Sequence, residues 1–315
     1  DQTLDRERQM QTKKALEGVK IADFTWVAVG PTTINYLGDF GATVVRVETH
    51  SRPDPARCFG PFKGKPSVDS TGFFTHHNTS KYSISLNLTK PKGKETAIEL
   101  IKWADIVSES MTPGAMHRLG LGYEDVIKYR PDIVYYSTCM NGQTGPRAAD
   151  PGYGQLASAL GGVYYLTGWP DRPPATPKGA YTDYVAPRFG ALAILAALDY
   201  RRRTGKGQHI DLSQVETAAH FVAPMVMDYV VNGRTADREG NRAGCATPHG
   251  AFPCQGEDRW CAIAVLNDKQ WKAFCQVMGN PAWTTRTKFS TILARKKTED
   301  ELEKLVGQWT SQHTA

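Results

Sequence analysis

The chain has 315 residues, 40% of them hydrophobic and 22% charged, which is enough for two domains or one large domain with an appendage. Its formal net charge of +6 is spread along the sequence; no basic stripe is interleaved with aromatics, which argues against nucleic acid and suits an anionic small ligand. No run reaches membrane-span length, the polar start DQTLDRERQMQTKK has no signal core, and the scattered cysteines and histidines show no metal or disulfide spacing, so a cytoplasmic protein with no membrane partner and no metal is expected.

In chain order, Val19 to Phe24 reads as a buried strand. Gly30-Pro31 opens a helix, with Pro31 in the favourable first position, and Gly41 ends it. Ala42 to Glu48 is β-branched and predicts a second strand. Lys92 to Trp103 predicts a helix, Asp105 to Val107 a strand, Tyr123 to Tyr129 a helix and Asp132 to Ser137 another strand. Strands alternating with helices argue for an α/β fold, a Rossmann-like large domain with a parallel sheet covered on both faces. The first turn lacks G-x-G-x-x-G, since Trp26-Val27-Ala28-Val29-Gly30 stands there; the topology is expected without NAD.

Beyond Phe189 an Ala/Leu-rich helix runs to Arg203, where Arg201-Arg202-Arg203 suits a helix C-terminus. A Gly-Lys-Gly stop and a strand at His209 to Leu212 follow. The large domain is expected over 1–231. A polar, turn-rich linker follows over 232–240, then a smaller α+β domain over 241–315. That domain has strands at Ala251-Phe252 and Trp260 to Val265 and helices at Asp268 to Met278 and Thr298 to Gln312. Thr298-x-x-Glu301 matches a capping box. Asp183 stands where loop becomes helix, and a lone acid there is by default an N-cap.

A series of short motifs changes that default. Asp23-Phe24-Thr25 with Gly30-Pro31, Gly41-Ala42 through Val47-Glu48, Asn78-x-x-Lys81-x-Ser83, Leu86-Asn87 with Pro91-x-Gly93, Pro113-Gly114-Ala115 with Arg118-x-Gly120, Gly142 to Pro146 and Thr204 to Gln208 occur in order. Each is weak alone. Together, from Leu16 to the end, the chain resembles the class III CoA-transferases, the family of formyl-CoA transferase, carnitine CoA-transferase and α-methylacyl-CoA racemase.

The resemblance implies an interlocked dimer, or a hetero-oligomer with a paralogous subunit, completed by a C-terminal return segment that this chain lacks. It implies a coenzyme A thioester as substrate, no prosthetic group, and Asp183 as nucleophile. The carboxylate attacks the thioester, passes through a mixed anhydride, and holds CoA as an aspartyl thioester. A helix N-terminus would favour the anion.

By match to the family, Trp26, Val27, Ala28, Val29, Leu86, Thr89, Lys90, Ser110, Met111 and Arg118 are expected at the CoA site, with Arg118 suited to a phosphate. Trp26 either covers the ligand or belongs to the core. Relatives carry Asn-Phe where Ser110-Met111 stands, and a basic residue where Thr49 stands, with His50 and Arg52 nearby. Tyr153 occupies the position of the racemase histidine; its ordinary pKa near 10 makes it a poor base, which favours transfer over racemisation. Tyr153 and Gln155 either bind the acyl group or oxyanion or are plain loop residues. Gly250 in Pro248-His249-Gly250-Ala251 is the candidate oxyanion loop, with His249 read as structural. The activity expected is CoA transfer from a donor such as succinyl-CoA to an aromatic or dicarboxylic acid of the benzylsuccinate type. The rivals are an acyl-CoA racemase or epimerase and a non-catalytic subunit.

Overall fold

The computed structural model describes residues 14–176 and 179–315. They form two compact units, 14–163 with 179–234 and 164–176 with 235–315.

The first unit is built on six parallel strands: β1 (Lys20–Phe24), β2 (Thr43–Glu48), β3 (Tyr82–Ser85), β4 (Ile106–Glu109), β5 (Val134–Cys139) and β6 (Gln208–Ser213). Their order is β3-β2-β1-β4-β5-β6, that of a doubly wound Rossmann-like sheet. β1 is central: Ile21 pairs with Val44 on one side and with Ile106 on the other. Strands covered on both faces need apolar side chains at nearly every position. β1 and β4 meet that need, with Ile21, Ala22, Phe24, Ile106 and Val107 almost wholly inaccessible. β3 does not: all four residues of Tyr-Ser-Ile-Ser are exposed at the sheet edge.

Helices cover the two faces. In chain order they are α1 (Val29–Asp39), α2 (Gly72–His77), α3 (Pro91–Trp103), α4 (Ala115–Arg118), α5 (Tyr123–Val126), α6 (Gly154–Leu160), α7 (Tyr181–Thr204), α8 (Gln214–Phe221) and α9 (Ala223–Asn232). One core joins Ala97 and Ile101 of α3 to Ala22, Phe24 and Val107. The opposite core joins Ile34 and Leu37 of α1 and Ile194 and Ala197 of α7 to Ile21, Val44, Ile106 and Val134.

Several expectations are corrected here. α1 starts at Val29, so Pro31 is its third residue; its missing N–H still costs nothing, because first-turn N–H groups have no partner within a helix. α7 begins at Tyr181, eight residues before Phe189, and tolerates Pro187. Arg201 does more than close that helix. Its guanidinium reaches Asp132 Oδ2 at 2.9 Å and Asp105 Oδ1 at 3.0 Å, tying α7 to the turns that enter β4 and β5.

The second unit pairs β7 (His249–Pro253) antiparallel with β8 (Trp260–Ala264). With α10 (Asp268–Val277), α11 (Ile292–Lys297) and α12 (Glu299–Thr310) it encloses Phe252, Val265, Trp271, Phe289, Leu302 and Val306. The unit is not contiguous in sequence, unlike the 241–315 domain expected. Residues 164–176 belong to it because Arg238 donates to Tyr165 O and Gly240 N to Gly168 O. The capping box at Thr298 does not form: Thr298 Oγ1 donates to Ala294 O, and Glu301 pairs with Lys288 and Arg286. No helix among the described residues is long and apolar enough to cross a membrane.

Candidate active site

Open parallel sheets bind ligands beyond the carboxyl ends of their strands, where the chain order reverses. Here that point lies between β1 and β4. A hollow of about 190 Å³ opens there, lined by Trp26 to Gly30 after β1, Ser110 to Pro113 after β4, Thr138 to Met140 at the end of β5, residues 148–154, Asp183 and Gln214.

Asp183 is the third residue of α7, so it lies inside the first turn and is not the N-cap. Capping is done by others. The N-cap Ala180 has no side-chain cap, and the N–H of Thr182 donates to Ser158 Oγ of α6 at 3.2 Å. Thr182 Oγ1 donates to Gly154 O at 2.9 Å, which fastens the start of α7 to that of α6. Pro187, four residues on, has no N–H to give the Asp183 carbonyl. The Asp183 carboxyl accepts no hydrogen bond among the described residues. Burial alone therefore sets its acidity and pushes its pKa up to about 6. The group is still mostly ionised at neutral pH, and it is a more basic, less solvated nucleophile than a surface aspartate.

Gly154 makes this placement possible. A Cβ there would overlap the Asp183 carboxyl and lie 2.8 Å from Ala180 Cβ. Cys139, the thiol in the hollow, is silenced: burial, followed by the charges of Asp211 and Glu109, pushes it up to about 11.

Trp26 and Val27 are held from behind. Ser110 Oγ accepts the Trp26 N–H at 2.7 Å and donates to Trp26 O at 3.1 Å. The Arg52 guanidinium stands over the Trp26 ring, 5.5 Å from its centroid. Met111 N donates to Glu109 Oε2 at 2.8 Å. Glu109 is itself pushed up to about 7, by burial first and then by Asp211, against hydrogen bonds from Ser137 and Met111.

Of the expected site residues, the fold gathers Trp26, Val27, Ala28, Val29, Ser110, Met111, Tyr153 and Asp183 around one hollow. Others are absent from its lining. Gln155 is exposed one position beyond Gly154; a step of about 100° along a helix turns it off the face that Gly154 presents. Arg118 is also exposed, with Nη1 3.4 Å from the carbonyl of Pro113, a lining residue. Leu86, Thr89 and Lys90 follow β3, two strands from β1 and so roughly 10 Å along the sheet. Leu86 packs against the core, Thr89 closes an Asn87 turn at 2.7 Å, and Lys90 is the N-cap of α3. Gly250 belongs to the second unit, where it lines a hollow with Trp169, Asn241, Arg242, His249 and Phe252; His249 Nδ1 donates to Asn241 O, a structural contact. Sequence reasoning missed Gly154, Cys139, Met140 and Gln214. The pair of glycines flanking Tyr153 is the only signal for the first.

Residues 16–315 match the family described as CoA-transferase family III. The chain is 35% identical over 294 residues to succinyl-CoA:glutarate CoA-transferase of Mus musculus, covering 93% of this chain and 66% of that protein. It is 34% identical over 292 residues to acetyl-CoA:oxalate CoA-transferase of Acetobacter aceti, covering 92% and 74%. It thus spans about two thirds to three quarters of the length of these curated relatives. Among solved structures, a CAIB/BAIF family protein from Brucella suis superposes with a TM-score of 0.82 at 31% identity, over 96% of this chain and 79% of that one. The match over nearly the whole chain, on a doubly wound sheet with an acid at its switch point, places the protein in CoA-transferase family III.

Proposed function

We propose that the protein transfers CoA from an acyl-CoA donor to a dicarboxylic acid, with Asp183 as the covalent carrier. The observation that carries this reading is the Asp183 carboxyl itself: desolvated, without a hydrogen-bond partner among the described residues, and facing the switch-point hollow. The Asp183 carboxylate attacks the thioester carbonyl, and the C–S bond breaks to give a mixed anhydride and CoA thiolate. The thiolate attacks the aspartyl carbonyl, expels the donor acid as its carboxylate, and leaves aspartyl-CoA thioester. The acceptor carboxylate then runs the two steps in reverse, and Asp183 returns as carboxylate. No external proton or electron is consumed.

Transfer is favoured over racemisation because no histidine lines the hollow among the described residues, and Tyr153 is among the residues that line it with Asp183. The names of the relatives, glutarate and oxalate transferases, support a dicarboxylate acceptor. Trp26, Val27, Ala28, Val29, Ser110 and Met111 would hold the thioester end of CoA. Thr89, Lys90 and Arg118, two strands away after β3 and beside the lining residue Pro113, suit its more distant, charged part, with Leu86 packing beneath. The protein would work as an oligomer in a cytoplasmic setting: α9 buries none of its residues and exposes Met227, Tyr229, Val230 and Val231, an apolar patch of the kind that marks an interface.

The test is hydroxylamine trapping with succinyl-CoA and glutarate. Mass spectrometry should find a hydroxamate at Asp183, and Asp183→Ala should lose both adduct and transfer. Full transfer by that variant, or an adduct elsewhere, would sink the reading.

A further inference from the structure

The loop that supplies Trp26 to Val29 contains a backbone conformation that its sequence disfavours. Val27 has φ of 68°, in the left-handed region where a β-branched side chain is an outlier. Such a residue persists only where its surroundings over-determine it. Here the surroundings are a buried ion pair. The Val27 N–H donates to both oxygens of Asp54, at 3.1 and 3.2 Å. Asp54 is fully buried and receives Arg46 Nη2 at 2.5 Å. Its Oδ1 also caps the turn Pro55–Cys58 through Ala56 N at 2.8 Å. Arg46, 1% exposed, donates through Nε to Asn78 Oδ1 at 3.2 Å and lies over the Phe74 ring at 5.0 Å. Its Nη1 is buried with no hydrogen-bond partner among the described residues.

That last atom matters. A buried ion pair seldom adds net stability, and Nη1, 3.9 Å from Glu48 Oε2, faces that carboxylate without a hydrogen bond. What the pair does accomplish is local: it turns the Val27 amide inward, next to the Trp26 amide that Ser110 holds, just before the chain enters α1. We propose that Asp54, fixed by Arg46, is a positioning residue for the thioester substrate, holding Val27 in the left-handed conformation that lets Trp26 to Val29 line the hollow. The proposal rests on the CoA reading above. Asp54 itself is not among the residues lining the hollow, so it acts through Val27.

The test combines calorimetric titration with CoA, thermal melting, and the acyl-CoA KM and kcat. Asp54→Asn is nearly isosteric and removes the charge. It should weaken CoA binding about tenfold or more, the loss expected for a buried charge-assisted hydrogen bond, and should raise KM alike. At saturating thioester the Asp183 hydroxamate should still form. Adding Val27→Gly to Asp54→Asn should recover most of the affinity, because glycine adopts positive φ freely, without recovering the melting temperature. A lowered melting temperature with CoA affinity within about twofold of wild type would make Asp54 merely structural and overturn the proposal, as would failure of Val27→Gly to rescue. If Asp54→Asn does not fold, Arg46→Lys keeps a charge on Asp54 and should show a smaller loss, again rescued by Val27→Gly; unchanged affinity in that variant also overturns it. Wild-type protein that binds no CoA overturns the CoA reading and this inference together, whereas wild-type binding with unaffected variants overturns this inference alone.

Discussion

Asp183→Asn separates what the carboxylate does for the reaction from what it costs the fold. An ordinary aspartate titrates near 3.8, and burial moves this one to about 6. The folded state therefore prefers the protonated acid. The penalty is absent below the unfolded value, grows as pH rises from 3.8, and is complete above about 6. The difference between the two values corresponds to about 3 kcal/mol of lost stability at pH 8 and only about 1 kcal/mol at pH 4.5. Asparagine keeps the shape and removes the ionisation. Its amide will recover only part of this, because a buried NH2 without a partner has its own cost. The variant should melt higher than wild type at pH 8, by about 2–6 °C, and the gain should shrink toward pH 4.5. Transfer should be abolished. Scanning calorimetry across that pH range, beside a coupled transfer assay, reads both effects. A variant less stable than wild type at pH 8, or a gain independent of pH, would show that Asp183 is not a desolvated charge. Retained turnover would show that it is not the carrier.

The same ionisation should appear in the rate. kcat/KM should fall tenfold per pH unit below about pH 6, and a flat profile down to pH 4.5 would contradict an ionised nucleophile. Gly154→Ala places a methyl group against the Asp183 carboxyl; kcat should drop about 100-fold, and near-normal turnover would mean the carboxyl can move aside without loss. Arg52→Gln removes the cation over Trp26; the acyl-CoA KM should rise severalfold with kcat unchanged and with weaker salt dependence, and an unaltered KM would remove Arg52 from the CoA site. Arg201→Ala removes one of the two guanidiniums, Arg130 being the other, that bridge Asp105 and Asp132; with Arg130 still in place, a loss of about 1 kcal/mol in urea unfolding is expected, with the acyl-CoA KM unchanged.

The sheet could be read from the chain because central parallel strands must be apolar on both faces. Ile21-Ala22 and Ile106-Val107 carry that signal in a few residues. β3 escaped because it pays no such debt: an exposed edge strand of Tyr-Ser-Ile-Ser has no buried face to declare itself. Helix starts were harder. α7 starts eight residues before Phe189 and runs through Pro187, and its start is held by Ser158, which accepts the Thr182 N–H, and by the Gly154 carbonyl, which accepts the Thr182 hydroxyl. No local pattern records such a partner. The candidate site divides in the same way. Asp183 was legible through the ordered motifs around it, which no reading of a single loop could replace. Gly154 was not, since its contribution is the absence of a side chain. Asp54 and Arg46 were hidden for a third reason. Each looks like an ordinary surface charge in sequence, and only the fold shows both fully buried, Arg46 directed at Asp54 and Asp54 at a backbone amide 27 residues away. Residues that touch substrate tend to leave motifs. Those that hold a backbone in place act through long-range contacts, and these exist only once the sheet has closed around them.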